Sequence, residues 1–136
     1  MTDSIAKSIL VVDDEEVMRE FLYEVLEDFD VEKVADGDEA IARLKVRRFD
    51  LIITDMKMPR VSGEEVVRFT RSAHPDSKII VISGYSSLPS VSNTVGFGIN
   101  AFLSKPFTIS QLRVEVDKAL KPTNSSDSQP GGLASV

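Results

Sequence analysis

The chain has 136 residues, a net charge of −6 and a pI near 4.8, with 22 acidic side chains against 16 basic ones, no cysteine and a single histidine. A domain of this size buries roughly 68% of the surface its unfolded chain exposes, so its core needs no staples; the missing cysteines exclude disulfide frameworks, thiol nucleophiles, iron–sulfur clusters and Cys-based zinc sites, and the lone His74 excludes any site needing two imidazoles. The acidic balance argues against direct nucleic-acid binding, and an apolar run from Ile9 to Val12 that meets Asp13-Asp14-Glu15-Glu16 is neither a signal-peptide core nor a membrane span, so a soluble cytoplasmic domain is expected.

Five short segments rich in Val, Ile and Leu recur, each followed by helical periodicity, with no internal repeat. Ser8 to Val12 reads as a strand buried on both faces and ends at Asp13. Val17, Met18, Phe21, Leu22, Val25, Leu26 and Phe29 follow helical spacing, with Arg19, Glu20, Glu24 and Glu27 on the other face. Val31 to Val34 is a weak strand; Asp36-Gly37-Asp38 turns into a second helix that buries Ala40, Ile41 and Leu44 and ends in Lys45, Arg47 and Arg48. Leu51 to Thr54 is the third strand, and it too ends in an aspartate, Asp55. Ser62 and Glu65 form a capping box for a third helix through Val66, Val67, Phe69 and Thr70 that stops before His74-Pro75.

Ile79 to Ile82 is the fourth strand, closed by Ser83-Gly84. Leu88, Val91, Val95 and Ile99 keep helical spacing, but Pro89, Gly96 and Gly98 make this fourth helix the weakest of the set. Ala101 to Ser104 is the fifth strand, followed by Lys105-Pro106; Thr108 and Gln111 form a second capping box for a fifth helix burying Leu112, Val116, Ala119 and Leu120. Residues 122–136 have almost nothing to bury and read as a disordered tail. Strand and helix in alternation predict an α/β doubly wound parallel sheet, and for five strands the flavodoxin-like order 2-1-3-4-5 with five helices is the common solution. Ligands of such folds bind beyond the carboxyl ends of strands 1 and 3, where the winding reverses.

Those ends are where the aspartates stand. In that topology Asp13, Asp14 and Asp55 share a small cleft, with Ser83 and Lys105 leaving the next two strands toward it. Two carboxylates about 4 Å apart repel by roughly 4 kcal/mol at an effective dielectric of 20, so three of them call for a cation or raised pKa values. Oxygen donors with room for water suit Mg²⁺, or Mn²⁺, better than a Ca²⁺ cage. A metal with open positions, an ammonium and a hydroxyl around a central carboxylate are the parts that a transferred phosphoryl group requires, with Asp55 as nucleophile.

The chain resembles the receiver domain of two-component response regulators. Val11-Val12-Asp13-Asp14-Glu15, Asp55-Met56-Lys57-Met58-Pro59 with Gly63, Ile82-Ser83-Gly84, and Phe102-Leu103-Ser104-Lys105-Pro106-Phe107 match that family's motifs in order and spacing, over a receiver unit from Ser4 to Lys121. The resemblance implies that a sensor histidine kinase or phosphotransfer protein passes a phosphoryl group from phosphohistidine to Asp55. It also implies that Asp14 ligates Mg²⁺ directly, Asp13 largely through water, and Lys57 by its backbone carbonyl. Ser83 would bind a phosphoryl oxygen, Phe102 would be the switch aromatic, and Lys105-Pro106 would be a cis peptide. Lys57 and Tyr85 hold the two positions that tend to set phosphate lifetime. Output would go to a target protein through the face formed by the fourth helix, fifth strand and fifth helix. Departures fall near that face: Gly98 is followed by Ile99 where Gly-Ala is common, and Gly84 follows Ser83 where Ala is frequent.

Each residue also has a plainer reading. Asp13 to Glu16 alone would be an acidic helix start, Ser83-Gly84 an ordinary turn, Phe102 simple core, His74 an exposed loop residue, and Lys45 to Arg48 a solvated helix end. Two other functions compete with this one. A pseudo-receiver acting only by protein interaction would be favoured by loss of an acidic or Lys residue, and all are present. A flavin carrier wants a Ser/Thr/Gly-rich loop after the first strand, where four acidic side chains would repel a phosphate instead. Beyond Lys121 the chain is too short for an effector domain, which leaves a stand-alone receiver or a piece of a longer regulator.

Overall fold

A computed structural model describes residues 6–84 and 98–121. The expected tail, Tyr85 and the expected fourth helix up to Phe97 lie outside the described residues. The strands are β1 (Ser8–Val12), β2 (Asp30–Val34), β3 (Leu51–Asp55), β4 (Lys78–Ser83) and β5 (Ala101–Ser104), and the helices are α1 (Glu16–Val25), α2 (Gly37–Val46), α3 (Gly63–Ala73) and the C-terminal α4 (Ile109–Leu120). All strand pairs are parallel and the sheet order is β2-β1-β3-β4-β5, the order expected from the sequence.

The unbroken apolar runs are explained by burial on both faces. Successive side chains of a strand point to opposite sides. Ile9, Val11, Leu51, Ile53, Ile80 and Ile82 therefore join Leu22 and Leu26 of the α1 region and Leu112 and Val116 of α4 on one face. Leu10, Val12 and Ile52 join Ala40, Leu44 and Val66 from α2 and α3 on the other, where Ile79 and Val81 meet Val67. A fully buried aliphatic side chain of this kind contributes about 1.5–3 kcal/mol. Both predicted capping boxes form, Ser62 with Glu65 and Thr108 with Gln111, and Asp36 caps α2 by accepting from the Glu39 N–H at 2.8 Å.

Three expectations need correction. Val17, placed in the buried stripe by its spacing, is 84% exposed, because it falls in the first turn of α1, before the helix settles onto the sheet. His74 is half-buried and bonds the Leu44 carbonyl at 2.7 Å, so it ties the end of α3 to the end of α2. Arg47 is more than a solvated helix end: it pairs with Asp30 and Glu32 on the edge strand β2 and lies over the Phe49 ring.

Candidate functional site

The register brings the predicted side chains to one end of the sheet. Asp13 follows β1, Asp55 is the last residue of β3 and pairs with Ile82, and Ser83 ends β4 opposite Ser104, the residue before Lys105. Backbone bonds fix each exit: Asp13 N–H to the Val34 carbonyl at 3.3 Å, Met56 N–H to Ile82 at 2.9 Å, and Lys105 N–H to Ser83 at 2.8 Å. The Lys105–Pro106 peptide is cis. Asp13, Asp55 and Ser83 are buried, whereas Asp14 and Lys57 are exposed at the rim.

Each of Asp13, Asp14 and Asp55 offers a carboxylate oxygen, and these oxygens lie within 4.8 Å of one another. The Lys105 ammonium stands among them, 3.3 Å from Asp55 Oδ2 and 3.4 Å from Asp13 Oδ2. It is also 3.3 Å from Glu15 Oε1. Asp14, Glu15, Asp55, Lys57, Gly84 and Lys105 line a cavity of about 460 Å³. Glu15 is the participant that the sequence reading left among the helix-start acids; its position directly after the aspartate pair was the available signal.

Burial dominates the electrostatics of the two inner carboxyls. It pushes Asp13 above the ordinary carboxylate range, helped by the Asp55 charge and opposed by the Glu15 N–H, which donates to Asp13 at 2.9 Å, and by Lys105. It pushes Asp55 up as well, against the pull of Lys105 and the Lys57 N–H. For Lys105 burial alone would lower the pKa, but the Asp55 and Asp13 carboxylates outweigh it and hold the ammonium above its usual value. The cleft thus stores more negative charge than one ammonium neutralises, and its all-oxygen donor set around open space fits a small hard divalent cation.

Phe102 is half-buried against Met56, Val67, Ile79 and Val81, with Ile99 beside it. It is therefore on the sheet face covered by α3. Gly84 lines the cavity and Gly98 has a positive φ of 80°. The other predicted lifetime position, Tyr85, lies outside the described residues.

The family model described as "Response regulator receiver domain" matches residues 9–117. Among curated proteins, the response regulator MprA of Mycolicibacterium vanbaalenii is 34% identical over 121 residues, which is 88% of this chain and 52% of that protein. The response regulator protein PilR of Pseudomonas aeruginosa is 34% identical over 117 residues, 85% of this chain and 26% of PilR. The chain thus spans about half the length of the MprA relatives it matches. Among solved structures, the chemotaxis response regulator CheY4 of Vibrio cholerae superposes with a TM-score of 0.78 at 31% identity, covering 85% of this chain and 99% of its own. The response regulator TrrA of Thermotoga maritima, solved in complex with Mg²⁺-BeF, gives 0.76 at 34% identity, covering 84% and 99%.

Proposed function

The chain belongs to the response regulator receiver domain family, and from that premise we propose that it is a phosphoacceptor switch, a receiver unit over residues 4–121 that takes a phosphoryl group onto Asp55 from the phosphohistidine of a sensor kinase or phosphotransfer protein. One observation carries the reading: carboxylate oxygens of Asp13, Asp14 and Asp55 lie within 4.8 Å of one another at the strand ends, and the Lys105 ammonium pairs with two of these residues, Asp13 and Asp55. A purely structural cluster would gain nothing from this arrangement, in which burial first, and a neighbouring carboxylate second, push both inner carboxyls above the ordinary range.

An Asp55 carboxylate oxygen attacks phosphorus, the P–N bond to imidazole breaks, and the imidazole leaves with the electron pair and takes a proton from solvent. Lys105 holds the charge that builds on the phosphoryl oxygens and keeps the Asp55 carboxylate oriented. Ser83, at the end of the neighbouring strand, donates its hydroxyl to a phosphoryl oxygen. Asp13, Asp14, Asp55 and the Lys57 carbonyl would hold Mg²⁺, with Mn²⁺ acceptable to the same donors, and that ion would neutralise the carboxylates as the anionic donor approaches. Drawing Ser83 toward the phosphoryl group would leave room for Phe102 to turn, remodelling the surface around β5 and α4 that a target protein reads. Asp13 to Glu16 would repel a flavin phosphate, which disfavours the carrier reading. No described helix is long and apolar enough to cross a membrane, in keeping with a cytoplasmic partner.

The test is intact-mass spectrometry after incubation with Mg²⁺ and a small amidophosphate or acyl phosphate. One phosphoryl group should be added to the wild type, none to Asp55→Asn, and none under chelation; undiminished labelling of Asp55→Asn would refute the assignment. Ser83→Ala should still accept phosphate, while its amide exchange over 98–107 changes less on phosphorylation than that of the wild type.

A further inference from the structure

The loop from Met56 to Ser62 links β3 to α3 and carries Lys57 along the cavity rim. It is closed at its base: the Gly63 N–H donates to the Met56 carbonyl at 2.9 Å, and Met56 donates in turn to Ile82. Gly63 sits so close under this base that a Cβ there would stand 2.1 Å from the Asp55 carbonyl oxygen. Inside the loop, Met58 is buried against the α2 face of the core, and Pro59 has a fixed φ. Arg60 is the only described residue other than glycine with a positive φ, at 64°. A loop closed by a hydrogen bond, anchored by a buried side chain and stiffened by proline has few dihedrals left to absorb a displacement.

The far side of this loop rests on the start of α2. At Gly37 an added Cβ would stand 2.5 Å from both Val61 Cγ1 and the Val61 carbonyl oxygen, and 2.8 Å from Val61 Cβ. One of the two nearest atoms is backbone, so rotating the valine side chain would not make room. On either side of Gly37, Asp36 and Asp38 accept from the Arg60 guanidinium at 3.0 and 3.1 Å. Asp36 also caps α2, which fixes its carboxylate relative to the helix. The left-handed backbone at Arg60 is what turns its side chain toward these two acids while Val61 drops onto Gly37, and such a conformation persists only where its surroundings over-determine it.

We propose that the first turn of α2 is the seat of this loop, and that the missing side chain at Gly37, with Arg60 tied to Asp36 and Asp38, sets where the Lys57 carbonyl stands and hence how tightly the acidic site holds its divalent cation. The inference rests on the proposed cation site. It adds a positioning role for residues that line no part of the cavity. Displacing Val61 moves a closed, stiff ring, and the movement is delivered to Lys57 because the Met56 end is pinned to β4. Supporting groups that orient metal ligands typically change metal affinity by about 10–100-fold when altered.

Mg²⁺ affinity is measured by calorimetry on wild type, Gly37→Ala, Ala42→Gly and Asp14→Asn, together with thermal midpoints and amide resonances of residues 56–62 in chelator. Alanine is the better helix former, so propensity by itself would favour Gly37→Ala. Instead this variant is expected to bind Mg²⁺ about tenfold more weakly and to shift the Lys57 and Val61 resonances before any metal is added. Ala42→Gly, at an exposed position of the same helix, should lower the midpoint and leave the affinity within about twofold of wild type. Val61→Gly placed in the Gly37→Ala background removes two of the three close contacts and should restore part of the affinity. Should Gly37→Ala not fold, Val61→Ala in the wild-type background loosens the seat from the other side and should weaken binding by a smaller factor. Wild-type binding with unchanged affinity in the folded seat variants overturns the proposal, whereas no binding by wild type, or wild-type affinity in Asp14→Asn, overturns the cation site itself.

Discussion

Two aspartates one strand apart in function lie at opposite ends of β3. Asp50, just before the strand, accepts from the Ser8 N–H at 2.9 Å, the Ser8 hydroxyl at 3.2 Å and Arg48 at 3.1 Å. Its burial works to raise its pKa, but these donors outweigh it and hold the carboxyl below the ordinary value. Asp55, the last residue of the strand, is more deeply buried, shares one ammonium with Asp13 and Glu15, and is held above the ordinary value. The two ends use the same residue type on the same strand. What separates a carboxylate held below its ordinary pKa from one held above it is whether its neighbours satisfy its charge or leave it in surplus.

Adding the missing positive charge should give the largest effect. Mg²⁺ at 100 times its dissociation constant should stabilise wild type by about 2.7 kcal/mol, read as a rise in denaturant midpoint at constant m-value. Asp14→Asn should lose most of that gain, and Asp50→Asn should keep it. An equal gain in all three proteins would mean that the ion acts away from the strand ends.

Removing the satisfied carboxylate comes next. Asp50→Ala should cost about 1–3 kcal/mol, because the Ser8 donors lose a charged acceptor in a half-buried position. Its pH dependence has a definite sign. A carboxyl whose folded pKa lies below its unfolded 3.8 contributes stability that is fully present above that value and fades as pH falls through the lower, folded one. The variant should therefore lose less stability than wild type on acidification below about pH 4; parallel acid limbs would refute the assignment.

The surplus carboxylate should behave in the opposite sense, with a smaller effect. In chelator at neutral pH, Asp55→Asn should gain roughly 1 kcal/mol, the scale of one like-charge contact removed near water. Because the folded pKa of Asp55 is raised, stability falls as pH rises from 3.8 through that folded value, so the gain should shrink toward zero at the acid end of this window. A loss at neutral pH would show that Asp55 is satisfied as Asp50 is. Deleting residues 122–136 should change the midpoint least, by less than about 0.5 kcal/mol, since the segment offers almost nothing apolar to bury.

Much of the molecule was legible because its determinants are local. The apolar runs Ile9–Val12, Leu51–Ile53 and Ile79–Ile82 signalled strands covered on both faces, and Ser62/Glu65 and Thr108/Gln111 announced helix starts that form as read. The aspartates were legible as a site because the sheet order follows from strand–helix alternation, and that order places the ends of β1 and β3 side by side. Val17 was misread because periodicity says which face a residue is on and not whether that turn of helix is covered. His74 and Arg47 were misread because their partners, Leu44 and the β2 acids, come from other elements.

Sequence alone determined what depends on spacing and on short-range chemistry: the α/β alternation, the helix caps, and the placement of Asp13, Asp14, Asp55, Ser83 and Lys105 at the carboxyl ends of the strands. Tertiary structure decided what depends on distances between elements distant in sequence. It placed Glu15 on the Lys105 ammonium, separated the fates of Asp50 and Asp55 by the donors around each, and set Gly37 against Val61 with no room for a Cβ. Those outcomes turn on gaps of a few tenths of an ångström and on which charges burial leaves unmatched, and neither is encoded in the order of residues along any one segment.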